Sequence, residues 1–223
     1  MSDIRGYYDK FIKMLDLIDY NSDDSLILIG NIIDKNLNSI DMINWIINYK
    51  YPRIMLLRGS NEEEFLQCID KVLKSKSIRS LVCDNYDYYT IINTLILNGI
   101  SLELLYKTFN TSKQYKRKIG SYTYTFANSC VPSLDYKNKK EFCLYSSYED
   151  IIEYGGISIP FYYNIFGHYP TTEYYDKENN KGKIIKLSYN NKNLININCG
   201  VYLPNDQGKL SCIRLDDLEE FYV

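Results

Sequence analysis

The chain has 223 residues, a formal net charge of −2, and ordinary apolar (45%) and charged (24%) fractions. This composition excludes an intrinsically disordered protein, and the charge gives no general attraction to nucleic acid or to an anionic membrane. The length suits a single domain, 1–223, with a sizeable core. No apolar leader follows Met1 and no apolar run is long enough to cross a bilayer, so we expect a cytoplasmic protein with neither a nucleic-acid nor a membrane partner.

Six cysteines and 24 tyrosines are the unusual features of the composition. The cysteines are scattered without a C-x-x-C pair, so we expect reduced, buried thiols and no zinc site. The tyrosines include the clusters Tyr86/Tyr88/Tyr89, Tyr162/Tyr163 and Tyr174/Tyr175. Two explanations stay open for them: a biased coding sequence, or a surface that recognises a partner.

The first 75 residues alternate between helical and strand patterns. We predict a helix over 6–18, a strand over 25–29, a helix from Ile40 to Ile47, a strand over 53–57 and a helix over 65–73. Such alternation is typical of an α/β protein in which helices cover a sheet.

Residues 76–119 are predicted to form a mostly helical insertion, and strands follow it. The later strands are predicted over 121–127, 161–166, 184–189, 194–199 and 210–215, with 184–189 and 194–199 forming a hairpin. The insertion ends in a basic run, Lys113, Lys116, Arg117 and Lys118. This run has two interpretations, a solvated connecting segment or a patch that contacts phosphate.

Three of the predicted strands end in the same way, with an apolar run, a glycine and a polar residue. The polar residues are Asn31, Ser60 and His168. Ligand sites of open α/β sheets lie at the carboxyl ends of strands, and glycine there allows a sharp turn. The three residues are therefore candidate site residues, although glycine also ends strands without any functional reason.

The order and spacing of these motifs resemble the calcineurin-like metallophosphoesterases, in particular the branch of bacterial-type Ser/Thr protein phosphatases and diadenosine tetraphosphatases. The matching segments are Ser2-Asp3-Ile4-Arg5-Gly6, Gly30-Asn31-Ile32-Ile33-Asp34-Lys35-Asn36, Gly59-Ser60-Asn61-Glu62, Phe126-Ala127-Asn128-Ser129-Cys130 and Gly167-His168-Tyr169-Pro170-Thr171. The family motifs are G/S-D-x-H-G, G-D-x-x-D-R-G, G-N-H-E, V-H-A-G and G-H-T-P-T. The resemblance implies a central β-sandwich flanked by helices and a site for two metal ions.

The same resemblance implies that most of the metal ligands are absent. The Asp and His of the family's first motif align with Asp3 and Arg5, and the family's bridging Asp aligns with Asn31. The Asn ligand of the family aligns with Ser60, and its general-acid His aligns with Asn61. The last two His ligands of the family align with Asn128 and His168. Only Asp3 and His168 keep the family's residue. The segment that supplies a phosphate-binding arginine in the family is Leu144-Tyr145-Ser146-Ser147, which contains none.

Electrostatics explains why these replacements matter. Two divalent ions about 4 Å apart repel by roughly 15–20 kcal/mol at an effective dielectric constant of about 20. A bridging carboxylate offsets that repulsion, whereas Asn31 is neutral and Arg5 is a permanent cation without a lone pair. We therefore predict that the chain holds no metal, that Asn61 is no general acid, and that no residue is catalytic.

We expect a catalytically inactive pseudophosphatase that acts as a binding or regulatory protein. Its partner would be another protein or a phosphorylated ligand, and the oligomeric state stays open. Arg5, Lys35 and Arg58 are the candidate anion-binding residues. Arg5 is further predicted to pair with Asp3 or Asp34 in place of the first cation.

Two alternative functions remain. The first is a divergent phosphoprotein or nucleotide phosphatase that holds manganese or another divalent metal with Asp3, Asp34, Asn128 and His168. The second is an assembly unit, which only the tyrosine clusters favour. The acidic run 62–64 is explained without chemistry, because negative charge is favourable at the start of a helix.

Overall fold

The computed structural model describes residues 1–49, 53–81, 86–174, 182–204 and 207–223, which form a mixed α/β fold. The helices are α1 (Tyr8–Leu17), α2 (Ser39–Asn48), α3 (Ser60–Ser75), α4 (Tyr86–Leu97), α5 (Leu102–Phe109), α6 (Lys139–Tyr145), α7 (Tyr148–Tyr154) and α8 (Thr171–Tyr174), with a 3-10 turn at Ile78–Leu81. The strands are β1 (Leu26–Ile29), β2 (Ile54–Leu57), β3 (Gln114–Ile119), β4 (Tyr122–Ala127), β5 (Tyr162–Phe166), β6 (Ile185–Tyr189), β7 (Lys192–Asn196), β8 (Ser211–Ile213) and β9 (Glu220–Tyr222).

The strands form one large sheet and two small ones. The large sheet has the order β3-β4-β5-β7-β6; its three central strands are parallel, and its outer strands β3 and β6 are antiparallel to their neighbours. β1 and β2 form a parallel pair, with Leu26 opposite Ile54, and β8 and β9 form an antiparallel pair.

Strand β1 contributes to two different cores because its side chains alternate between faces. Leu26 and Leu28 belong to a cluster with the helices, whereas Ile27 and Ile29 pack in a cluster with the large sheet. The helical cluster includes Phe11 of α1, Met42 of α2, Phe65 of α3, Ile92 of α4 and Leu105 of α5. The β1–β2 pair therefore lies between a layer of helices and the large sheet.

Helices α6 and α7 cover the opposite face of the large sheet. Phe142 of α6 and Ile151 of α7 share a cluster with Phe166 of β5 and Leu194 of β7. The described layers are thus helices, the β1–β2 pair, the large sheet, and helices again. This order follows from the alternation of apolar residues on both sheets.

The predicted alternation of helix and strand in the first 75 residues is confirmed, but the prediction of a helical insertion over 76–119 is wrong at its end. Helix α5 stops at Phe109, and 114–119 form strand β3, which pairs with β4 across the turn at Gly120. Tyr115, Arg117 and Ile119 alternate with more exposed residues, as expected of an edge strand. The basic run therefore lies largely on a strand and is not a connecting segment.

The carboxyl-terminal third also differs in detail from the sequence-based prediction. The hairpin turn is shorter than predicted, since β7 begins at Lys192 and only Asn190 and Asn191 separate it from β6. Both asparagines have positive φ, 49° and 59°, which suits a two-residue hairpin turn. Strand β9 and helices α6 and α7 were not predicted, because each is short and pairs or packs with distant residues.

The cysteines of the described residues are internal, whereas the tyrosines range from buried to exposed. Five cysteines are buried free thiols, as predicted: Cys68, Cys130, Cys143, Cys199 and Cys212. Cys83 and Tyr175 lie outside the described residues. Tyr88 is fully buried and packs against Phe65, so this tyrosine belongs to the core and not to a recognition surface. Within the described ranges, no helix has both the length and the apolar character needed to cross a membrane.

Candidate functional site

The predicted site residues meet at one end of the two sheets. Asn31 follows β1, Ser60 follows β2 as the first residue of α3, Asn128 follows β4, and His168 follows β5. Asp3 joins them from the amino-terminal segment that runs beside β1. The carboxyl ends of parallel strands lie at the same edge, so the sequence-based expectation that these side chains converge is met.

Asn31 lies at the centre of a hydrogen-bonded network and is fully buried. Its Nδ2 donates to Oδ1 of Asp3 at 3.0 Å. Its Oδ1 accepts from Ser60 Oγ at 3.1 Å and from the Asn61 backbone N–H at 3.0 Å. The contact with Asp3 needs an N–H donor, which an ionised carboxylate at this position lacks. The amide therefore supplies Asp3 with a donor that an ionised aspartate could not supply.

Asn128 links the two sheets and is also fully buried. Its Oδ1 accepts from the Ser60 backbone N–H, and its Nδ2 donates to the Ile29 carbonyl, both at 3.3 Å. Each polar atom of the side chain thus has a protein partner. Buried amides are stable only under that condition.

Arg5 pairs with the carboxylates as the sequence analysis predicted. Its Nη1 donates to Asp34 Oδ2 at 3.3 Å, and its Nε lies 3.7 Å from Asp3 Oδ1. The guanidinium also stacks on the Tyr202 ring, 4.1 Å from its centroid. Burial lowers the pKa of Arg5, but Asp3, Tyr202 and Asp34 together outweigh burial and raise the pKa above its ordinary value. The group is a fixed cation beside Asp3.

His168 contacts Asp3 through its backbone. Its N–H donates to Asp3 Oδ2 at 2.9 Å, so both carboxylate oxygens of Asp3 accept hydrogen bonds. The imidazole Nδ1 is buried and has no hydrogen-bond partner among the described residues. Burial lowers the pKa of His168, Asp3 opposes this shift, and Arg5 adds to it. The imidazole is therefore neutral near pH 7.

Strained backbone is concentrated at this site. Asp3, Arg5, Asn31 and His168 have φ of 50°, 51°, 51° and 67°, in the left-handed region that side chains other than glycine rarely adopt. Gly30 has φ 76°, and a Cβ there would lie 2.6 Å from the backbone of the neighbouring turn. Such strain persists where the surroundings require a particular turn geometry, and it is common at functional sites.

Glu62 organises the turns, although the sequence analysis attributed the acidic run only to the start of a helix. It is fully buried. Its Oε2 accepts from the N–H groups of Asn31 (2.7 Å) and Gly59 (2.8 Å), and its Oε1 from those of Ile32 (2.8 Å) and Ile33 (3.1 Å). Burial raises the pKa of Glu62, and the four N–H groups oppose this shift. The signal in the sequence was its place three residues after Gly59, from which a glutamate at the start of a helix reaches back to the N–H of the residue before the helix.

The other two candidate anion-binding residues are paired with carboxylates. Lys35 Nζ lies 2.7 Å from Glu64 Oε2. Arg58 donates to Glu63 at 2.9 Å and to the Thr111 carbonyl, so its partners lie outside the network of Asn31. Among the described residues, the carboxylates that Arg5 contacts are Asp3 and Asp34.

The residues present do not fit the two metal ions that the resemblance implies. The Asn31 amide donates a hydrogen to Asp3, and the Arg5 guanidinium lies beside the same carboxylate, whereas a cation there would need free lone pairs. Asn61 donates its side-chain N–H to the Ile33 carbonyl at 2.8 Å. Over the part of the chain that the structure describes, no three His, Cys, Asp or Glu residues are grouped so that they hold an ion.

No protein-family model matches this sequence, and no curated protein matches it either. The resemblance to the calcineurin-like metallophosphoesterases therefore remains a prediction from the ordered motifs of the sequence.

Proposed function

We propose that the protein is a catalytically inactive relative of the calcineurin-like metallophosphoesterases that acts as a binding or regulatory protein. Three features support this relationship: the order of the motifs, the two facing sheets with helices on both outer sides, and the convergence of the aligned residues at the strand ends. Each is expected of a chain that kept the scaffold of such an enzyme.

The observation that carries the proposal is the network of Asn31, Asp3 and Arg5. In it, an amide N–H and a guanidinium are the partners of the one central carboxylate. The guanidinium offsets the charge of Asp3, and the Asn31 amide together with the His168 N–H satisfies the two carboxylate oxygens without any divalent ion. A site of this kind has no means of lowering the pKa of a water molecule, which is the first requirement of metal-assisted hydrolysis.

The balance of charge favours a protein partner over a phosphorylated ligand. A phosphate group at Arg5 would compete with Asp34 and lie close to Asp3. Lys35 and Arg58 are already paired with Glu64 and Glu63. Anion binding at Arg5 would therefore break existing ion pairs, whereas binding at another surface would leave the network intact.

Metal content and turnover test the loss of catalysis. We expect purified protein to contain far less than one equivalent of manganese, zinc or iron, and to hydrolyse an aryl phosphate in manganese no faster than His168→Ala does. Two bound ions per chain, with turnover that His168→Ala abolishes, would instead establish a divergent phosphatase.

Calorimetric titration separates the two modes of binding. Inorganic phosphate, a nucleotide and a phosphopeptide are expected to give no heat of binding. Saturable heat that disappears in Arg5→Gln would show that Arg5 binds anions and would contradict the preference for a protein partner.

A further inference from the structure

One edge of the β1–β2 pair is open over part of its length. The Leu26 N–H donates to the Arg53 carbonyl, so Arg53, Met55 and Leu57 direct their backbone groups toward β1. Ile54 and Leu56 must then direct theirs to the opposite side. The Arg58 N–H also faces that side and donates to the Ser112 carbonyl at 2.9 Å. Among the described residues, no hydrogen bond occupies the outward N–H and C=O groups of Ile54 and Leu56.

A groove runs along this open edge. Its volume is about 490 Å³, within the range of specific ligand sites. Trp45 and Ile46 of α2 line one side, and Thr108 of α5 with the segment 111–112 lines the other. The Trp45 ring is held by Phe11, with 4.7 Å between the ring centroids, so this wall is preformed.

We propose that this groove binds an extended peptide segment of a partner protein, which adds a strand to the edge of β2. Unpaired N–H and C=O groups on a strand edge match the backbone of another strand, and the apolar wall suits an aliphatic or aromatic side chain of the peptide. A second copy of this chain is a poor occupant, because its own β2 edge is equally recessed between α2 and α5. A small molecule would not satisfy two outward donor and acceptor pairs at strand spacing.

An extended peptide in this groove would be the partner of the proposed binding protein, so the biological role of the groove rests on the proposed function. The open edge and the groove themselves do not depend on it. The groove is lined by residues of β1, α2, β2 and α5 and of the segments that follow α2 and α5, and none of them belongs to the network of Asn31. Failure of the metal and turnover experiment would therefore leave the peptide experiments below unaffected, and the reverse also holds.

Amide hydrogen exchange in the free protein tests the open edge directly. We expect the Ile54 and Leu56 amides to exchange at least about tenfold faster than the Met55 and Leu57 amides, which donate to β1. Equal protection of all four amides would show that the edge is already paired, and the proposal would then be wrong.

Selection from a phage-displayed library of random peptides of about nine residues tests the occupant. We expect the selected peptides to slow exchange at Ile54 and Leu56. Methyl groups placed one at a time on the peptide's backbone nitrogens should abolish binding at every second position and leave binding intact at the positions between, because alternate N–H groups of an added strand face β2. Binding without this alternation, or no selected peptide at all, would overturn the proposal.

Two threonine variants provide a matched pair. Thr108 lines the groove and donates its hydroxyl to the Leu104 carbonyl; Thr94 of α4 makes the same contact with Thr90 and does not line the groove. We expect Thr108→Arg to weaken binding of the selected peptides by at least about tenfold and Thr94→Arg to leave it unchanged. If both variants weakened peptide binding equally, the groove would not be the peptide's binding site. If the free protein formed a dimer that Thr108→Arg abolishes, the occupant of the groove would be a second copy of the chain and not a peptide.

Discussion

Asn31 shows how a change of one atom type alters the chemistry of a site. Its side chain has nearly the shape of an aspartate, but its N–H satisfies Asp3 directly. An aspartate at the same place would need a cation or a shared proton between the two carboxylates. The backbone at Asn31 is in the left-handed region, with φ of 51°.

Replacement of this amide by a carboxylate tests that account. We expect Asn31→Asp to lower the free energy of unfolding at pH 7 by about 3 kcal/mol, because two buried carboxylates would lie in contact without a donor between them. The loss should shrink as the pH falls, since protonation of one carboxyl restores a donor.

Urea denaturation in buffers of different pH measures the effect. Asn98→Asp is the control, because Asn98 is exposed at the end of α4 and its substitution should change stability by less than about 0.5 kcal/mol. Equal stability of Asn31→Asp and the natural chain at pH 7 would contradict the role assigned to the amide.

His168 is the only histidine, so its titration can be followed without ambiguity. Because burial lowers its pKa, we expect the imidazole to titrate below its ordinary value of 6.5 in the folded protein. The stability of the fold is then highest, with respect to this group, above the unfolded-state pKa of about 6.5. It decreases as the pH falls from there through the lower pKa of the folded state. Nuclear magnetic resonance of the imidazole protons measures the pKa.

The same measurement tests the contact with Arg5. Arg5→Gln should raise the pKa of His168, because the guanidinium disfavours a second positive charge nearby. Lys139→Gln, an exposed change at the start of α6, should leave the pKa unchanged. A pKa above 6.5 in the natural chain would show that Asp3 outweighs burial.

At the scale of elements, one side chain fixes helix α3 to the ends of two strands. The N–H groups that Glu62 binds belong to the turns after β1 and β2. Without a buried acceptor, these turns would leave four N–H groups unsatisfied in a water-free region. The position of Ser60 and Asn61 beside Asn31 therefore depends on Glu62.

We expect Glu62→Gln to lower the free energy of unfolding by about 3 kcal/mol, because the amide nitrogen replaces one oxygen and leaves two N–H groups without an acceptor. Chemical denaturation measures the loss. Glu103→Gln, at an exposed position in the first turn of α5, should change stability by less than about 0.5 kcal/mol. Similar losses in the two variants would mean that Glu62 is only a helix-start residue.

At the scale of the whole molecule, the cores are shared between layers. Ile29 of β1 packs with Ile165 of the large sheet, while Leu28, its neighbour, packs with the helices. Phe166, next to Ile165, packs with α6 and α7. Neighbouring residues on single strands thus connect every layer, and removal of one layer would expose the core of the next.

This connection predicts a single cooperative unfolding transition. Trp45 is the only tryptophan and reports on the helical layer, whereas far-ultraviolet circular dichroism reports on all layers. We expect the two signals to give coincident transitions in urea. Separate midpoints would show two independently stable units and would contradict the prediction of a single domain.

Local patterns were enough to predict much of the fold and most of the site. Asn31, Ser60 and His168 were identified because an apolar strand, a glycine and a polar residue follow each other in the chain. Strand β3 was missed because its neighbours suggested a helix, and its pairing with β4 decided otherwise. Glu62 was undervalued because burial of a carboxylate depends on N–H groups 29 to 31 residues away.

The sequence by itself determined which residue types stand at the strand ends. Of the positions that align with metal ligands of the family that the chain resembles, only Asp3 and His168 keep the family's residue. Only the tertiary structure decided what those types do. It placed the Asn31 amide and the Arg5 guanidinium against Asp3, paired Lys35 and Arg58 with glutamates, and left the edge of β2 open. The physical reason is that hydrogen bonds and ion pairs act over a few ångströms between residues far apart in the chain, and no local pattern encodes those distances.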